Sequence, residues 1–254
     1  MNGAPTAPAG DGQQEVRPTW SPWEALPVFG IAIVVAAILS TPFVALGPSQ
    51  HHLTTGQQLL GGIAVELSLG GTVVGWLFAM HRRSMRALGI PRRPLREIVA
   101  GLMGGLLLVA ILVYGFGWIL ARILQALSSS KHVGVPKQLP TGLHDGDTLL
   151  AGILVLVAAP ICEELFFRGL LFKGLRRRHG FVSAAAISAV LFGLAHLQEA
   201  IPGPWQSAFL LVAVLAFVGF GLAFVYERRG NIVASMAAHG AFNLVGFLVL
   251  LHVM

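Results

Sequence analysis

The chain has 254 residues, of which 55% are hydrophobic and only 11% charged, with a formal net charge of +6. Ordinary soluble domains carry roughly a quarter charged residues, so this composition excludes a water-soluble globule and points to a lipid solvent. A single cysteine, Cys162, excludes an internal disulfide, and the basic excess, set in short runs between apolar stretches, reads as a topology signal and not as a nucleic-acid footprint.

In chain order, residues 1–20 are polar and rich in Pro, Gly and Ala. They contain no apolar core of a cleavable signal and read as a disordered cytoplasmic tail. A helix crossing ~30 Å of hydrocarbon needs about twenty apolar residues. The segments that meet or approach this are 25–47, 57–80, 98–126, 148–175, 181–198, 205–226 and 231–254, with 181–198 marginal in length. The expected fold is therefore all-α, a polytopic transmembrane helix bundle of about seven helices (range six to eight), forming one domain over 21–254. Small-residue spacings such as Gly61-Gly62, Gly70-Gly71, Gly101 to Gly105 and Gly219 to Gly221 suit close helix approach where lipid offers no hydrophobic drive. The 127–147 connection, with Pro136 and Pro140, is the longest expected external loop.

Basic residues fall on alternate connections: Arg82, Arg83, Arg86, Arg92, Arg93 and Arg96, then Lys173 and Arg176 to Arg178, then Arg228 and Arg229. With Arg17 they lie on one side, against Lys131 and Lys137 on the other. The positive-inside rule puts the N-terminus in the cytoplasm, in a plasma-membrane protein. Anionic lipid headgroups are the partners such turns attract.

A charged side chain near the bilayer centre costs at least about 2.5–3.5 kcal/mol, so buried ionisable groups mark partners or cavities. The fourth segment carries Glu163, Glu164 and Arg168 within the string from Pro160 to Arg168. Glu164 and Arg168 are four apart and suit an ion pair, leaving Glu163 on a neighbouring face for chemistry. The fifth segment supplies Phe192 and His196, and the seventh His239 and Asn243, again four apart on one face. A buried carboxylate can take a proton from water, one imidazole can relay it, and a second imidazole with an amide can stabilise an oxyanion. Counting about 1.5 Å per residue, Glu163 and His239 meet at one depth, whereas His196 falls too far outward unless its helix starts below the membrane surface or the fourth helix tilts. Glu66, in the second segment, has three open readings: pairing with Arg168, lining a substrate cavity, or sitting at a water-filled crevice. Cys162 as a thiol nucleophile would need a histidine to face it and not the carboxylate.

In this order, on late transmembrane segments, the Glu-Glu-x-x-x-Arg, Phe-x-x-x-His and His-x-x-x-Asn strings resemble the three motifs of the CAAX prenyl endopeptidase and bacteriocin-processing family of intramembrane proteases. The resemblance covers roughly 148–254. It implies that Glu163 and His196 activate the attacking water, that His239 and Asn243 hold the tetrahedral intermediate, and that Glu164 and Arg168 support them. It also implies a protein or peptide substrate, membrane-associated and in some family members prenylated. A zinc ion, if one takes part, would be held by Glu163, His196 and His239 with one open position. No His-Glu-x-x-His string is present, and a metal-free glutamate mechanism is the expectation favoured. The competing classes are a proton-coupled transporter, against which stands the lack of a visible repeat, and a membrane scaffold or immunity protein with the same fold and no turnover. The sequence gives no oligomeric state.

Overall fold

The computed structural model describes residues 18–45, 53–127, 134, 143–201 and 203–253. Its main helices are α1 (Ala25–Ala45), α2 (Thr55–His81), α3 (Pro94–Ala126), α4 (Gly146–Arg176), α5 (Phe181–Ala195), α6 (Trp205–Arg229) and α7 (Ile232–Val253). There is no strand among the described residues, and the chain is an all-α, multi-pass bundle. Six of these helices are long and apolar enough to cross a membrane; α5 is shorter. The ends expected from apolar length agree with these bounds to within a few residues. The Lys131, Lys137, Pro136 and Pro140 positions of the long connection, and Arg17, lie outside the described residues.

Large apolar side chains cover the outer faces of the helices, among them Phe29, Leu107 and Val249. With tails outside as apolar as the side chains within, what joins the helices is close backbone approach. Gly101 and Gly105 of α3 set their Cα atoms against the Ala234 and Ala238 carbonyls of α7. Gly193 of α5 does the same at Val212 of α6, and Gly70 of α2 at Cys162 of α4. A methyl group at Gly105 would run into the Ala238 carbonyl, which is backbone and cannot rotate away. Gly105→Ala should therefore cost about 1–3 kcal/mol of stability, read as a lowered melting temperature in detergent, while Gly75→Ala, whose new Cβ meets nothing within 4 Å, should leave it unchanged.

Trp20, within the stretch expected as tail, is instead fully buried, its indole donating to the Leu170 carbonyl at 3.0 Å. Burial of this large ring outweighs the polar, proline-rich composition that precedes it. Arg177 clamps the same segment by donating to the Thr19 and Trp20 carbonyls, each at 2.8 Å. The turn at Gly89 meets the turn at Gly230, both glycines having positive φ, as the αL end of α6 requires. The basic connections before α3 and before α7 are thus gathered at one end of the bundle, and Arg229 there grips Glu97 with two bonds of 2.7 Å.

Helix α4 is not regular. Leu154–Ala158 and Leu165–Phe172 are π-helical, and Glu163 and Glu164 sit on the α-helical piece between them, Ala159–Glu164. The cause of the first irregularity is Pro160, which has no N–H to donate and would clash with a regular turn before it. Local π turns of this kind recur at functional sites.

Candidate active site

The unusual end of the first π turn also sets one of the site's residues. In that turn the Ala159 N–H bonds the Leu154 carbonyl. The Val155 carbonyl would next look to residue 160, where proline offers no donor. Asn243 of α7 supplies it: its Nδ2 donates to the Val155 oxygen at 2.8 Å. The amide is thereby fixed between α7 and α4, and its second N–H is left for the cavity that it lines.

One helical turn before Asn243 on α7 stands His239, and one turn earlier again Ser235. The three form a stripe at four-residue spacing that meets α4. Ser235 donates its hydroxyl to Glu164 Oε2, and His239 Nδ1 lies 3.1 Å from Glu164 Oε1. Glu164 is fully buried and also pairs with Arg168, whose Nη1 is 2.8 Å from Oε1. Arg168 in turn donates to the Gly219 carbonyl at 3.0 Å and lies over the Phe192 ring, 4.8 Å from its centroid. Because Glu164 is ringed by donors it is an acceptor at every oxygen, so the proton on His239 sits on Nδ1 and Nε2 faces the other way.

What Nε2 faces is Glu163, at 3.8 Å from Oε2. His196 approaches the same carboxylate from α5, with Nε2 3.6 Å from Oε1, and its Nδ1 lies 2.8 Å from the Phe192 carbonyl. That carbonyl can only accept, which fixes the tautomer of His196 in the same sense. Glu163 is thus bracketed by two imidazole nitrogens at separations slightly longer than a direct hydrogen bond. The three groups open on a cavity of about 280 Å³ lined also by Glu66, Leu215 and Asn243.

The depth mismatch expected for His196 does not arise. Helix α4 runs past the start of α7, since Gly169 packs beside Ile232, and α5 turns back from its far end, where Phe181 stacks edge-on to Phe172. Counted from the ends of the two helices at Arg176 and Phe181, Glu163 stands about 20 Å and His196 about 22 Å along at ~1.5 Å per residue, and the two side chains meet at 3.6 Å. Of the open readings for Glu66, the cavity lining is the one observed, and Arg168 is committed to Glu164. Cys162 packs its sulfur on Gly70, while both histidines present Nε2 to Glu163.

Three contributors went unread in the sequence. Ser235 could have been found from its period with His239 and Asn243. The π turns, and with them the Val155 carbonyl, leave only Pro160 as a signal. Among the described residues no set of three His, Cys, Asp or Glu side chains is arranged to hold a metal ion; His196 Nε2 and His239 Nε2 stand on either side of Glu163 at 3.6 and 3.8 Å.

Residues 145–245 match the family described as Type II CAAX prenyl endopeptidase Rce1-like, which bears out the resemblance carried by the three motifs over the segment that holds them. A curated relative, "Putative membrane peptidase YdiL" of Bacillus subtilis (strain 168), is 32% identical over 91 residues, covering 36% of this chain and 33% of that protein. The chain thus matches about a third of that relative's length. No solved structure matches it.

Proposed function

We propose that the chain is an intramembrane endopeptidase of the CAAX type, hydrolysing a peptide bond of a membrane-associated or lipid-modified protein or peptide. The observation that carries this reading is Glu163 held between His196 and His239 Nε2 atoms at 3.6 and 3.8 Å, facing a cavity within the helix bundle. The match of 145–245 to a prenyl endopeptidase family supports it.

In the proposed reaction a water bridges Glu163 and His196. Glu163 takes one of its protons as the oxygen attacks the carbonyl carbon. Negative charge then develops on the substrate oxygen; the proton taken by Glu163 passes across to His239 Nε2, and that N–H with the free N–H of Asn243 stabilises the oxygen. Glu164 faces the imidazolium so formed, and the Arg168 pair and Ser235 keep that carboxylate from turning. The basic connections share one end of the bundle with Trp20, which supports a cytoplasmic N-terminus in the plasma membrane.

The test uses protein in lipid vesicles with a farnesylated CAAX-type reporter peptide and its unfarnesylated twin. His196→Ala should lower kcat about 10²–10⁴-fold with little change in KM, and Asn243→Ala about 10²–10³-fold. Asn243→Ala should also lower the melting temperature, because the Val155 carbonyl loses its donor. Full activity in both variants would refute the assignment.

A further inference from the structure

The cavity beside Glu163 is shut on the side of the basic turns. From Glu163 toward Lys173, α4 presents Phe166, Phe167, Leu170, Leu171 and Phe172, all buried. Trp20 covers the Leu170 carbonyl, and Val73 and Leu77 of α2 fill the same core with no exposure. The cavity floor is the Phe192 ring, edge-on to Phe167 and to His239 at centroid separations of 5.1 and 5.7 Å. On the other side of Glu163 the walls are of a different kind. Helices α2 and α4 run antiparallel and touch where Gly70 meets Cys162 and where Gly62 meets Leu154. Apart from Glu163 itself, the cavity residues of these helices lie beyond the first contact, away from the basic turns: Gly62, Val65 and Glu66 on α2, and Leu154, Val155 and Ala159 on α4.

The length of α5 leaves an opening there. Its 15 residues span about 22 Å, short of the ~30 Å of hydrocarbon, while α2 with 27 residues and α6 with 25 reach about 40 and 37 Å. Starting at the basic end, α5 stops at His196 within the membrane and contributes nothing to the bundle beyond it. The chain then turns toward α6 through Gln198, which is exposed and lines the cavity. On the α2 side the outward-facing cavity residue is Val65, 48% exposed.

We propose that the substrate peptide reaches Glu163 through this gap over the end of α5, from the non-cytoplasmic half of the bilayer. The proposal rests on the reading of Glu163 as the base and of the basic turns as cytoplasmic. An extended peptide brings N–H and C=O groups that are costly to bury unpaired, so its path must offer polar partners or water. Gln198, Glu199 and Glu66 line the way in from the gap. The way in from the basic turns crosses packed aromatic rings, and a segment presented at the cytoplasmic leaflet would have to displace Phe166, Phe167 and Trp20 to reach the carboxylate. The substrate class that fits is therefore a membrane-anchored protein or peptide whose scissile segment lies next to its anchor on the outer side.

Side-specific thiol labelling of the full-length protein in sealed vesicles tests this. The reagent is a methanethiosulfonate carrying a quaternary ammonium, which does not cross lipid because its charge is too costly to bury. Wild-type protein is the blank, since Cys162 is buried with its sulfur on Gly70. Arg92→Cys, at an exposed position of the basic connection, reports which side the reagent is on. From the side that does not reach Arg92→Cys, both Gln198→Cys and Val65→Cys should be modified; from the other side, neither. Modification of the pair from the basic side, or of neither from either side, overturns the proposal whether or not any reporter is cleaved. In the same vesicles, reporters anchored by one apolar helix should be cut when the cleavable segment lies opposite the basic turns and not when it lies beside them. Modifying Gln198→Cys should abolish that cleavage and a thiol reductant should restore it. Cleavage that survives full modification, or that is equal on the two sides, also overturns the route. Turnover by Glu163→Gln with labelling as expected would overturn the base assignment and leave the route standing, so the two failures are distinct.

Discussion

Glu163→Gln should lower peptide-bond cleavage by about 10⁴-fold or more, toward the limit of removing a general base outright. The substitution keeps the size and planarity of the side chain. It replaces one acceptor oxygen by an amide that cannot take a proton, so the water between residue 163 and His196 is held but not activated. Stability should change little, because none of the hydrogen bonds around Glu164 involves residue 163. Circular dichroism and melting in detergent, run beside the reporter assay, separate the two quantities. A variant that melts with the wild type and does not turn over is the expected result; one that turns over at more than about a tenth of the wild-type rate is incompatible with a base at this position.

The second large effect is on folding. Arg168→Met should destabilise the bundle by about 3–5 kcal/mol, the usual loss when one partner of a buried ion pair is removed. Arg168 is 1% exposed and Glu164 fully buried, so no water can replace the lost guanidinium. The Gly219 carbonyl would also lose its donor, and Phe192 the cation over its ring. Adding Glu164→Gln to Arg168→Met should restore part of the loss, because the stranded charge is then absent. The comparison is made by thermal unfolding of all three variants in one detergent. A single variant as stable as the wild type would mean that Glu164 does not depend on Arg168.

Much of this architecture was legible in the sequence because lipid imposes a length rule. Apolar runs of about twenty residues have no alternative home, so α1 to α4, α6 and α7 could be placed to within a few residues, and α5 followed as the segment left between Gly180 and Gln198. The pairing of Glu164 with Arg168 was legible too, since i and i+4 share a face. Depth was not. A count along one helix carries no information on how far its neighbours are displaced, and the offset between α4 and α7 is set by Gly169 meeting Leu88 and Ile232. The partners of Asn243 were hidden for a different reason: the Val155 carbonyl is freed by a π turn, a hydrogen-bond register that no residue pattern declares except through Pro160. Trp20 illustrates the opposite error, in which local polar composition hid a single ring with a deep tertiary contact.

The measurement that bears most directly on the central claim is the fate of solvent oxygen. Wild-type protein in lipid vesicles would be incubated in ¹⁸O-labelled water with a set of membrane-anchored peptides, some bearing a C-terminal farnesylated cysteine, and the products read by mass spectrometry. Hydrolysis by a water held at Glu163 predicts a new C-terminal carboxyl carrying one labelled oxygen, formed by the wild type and absent with Glu163→Gln. Peptides that cross the vesicle membrane intact, or label that enters equally with Glu163→Gln, would contradict it.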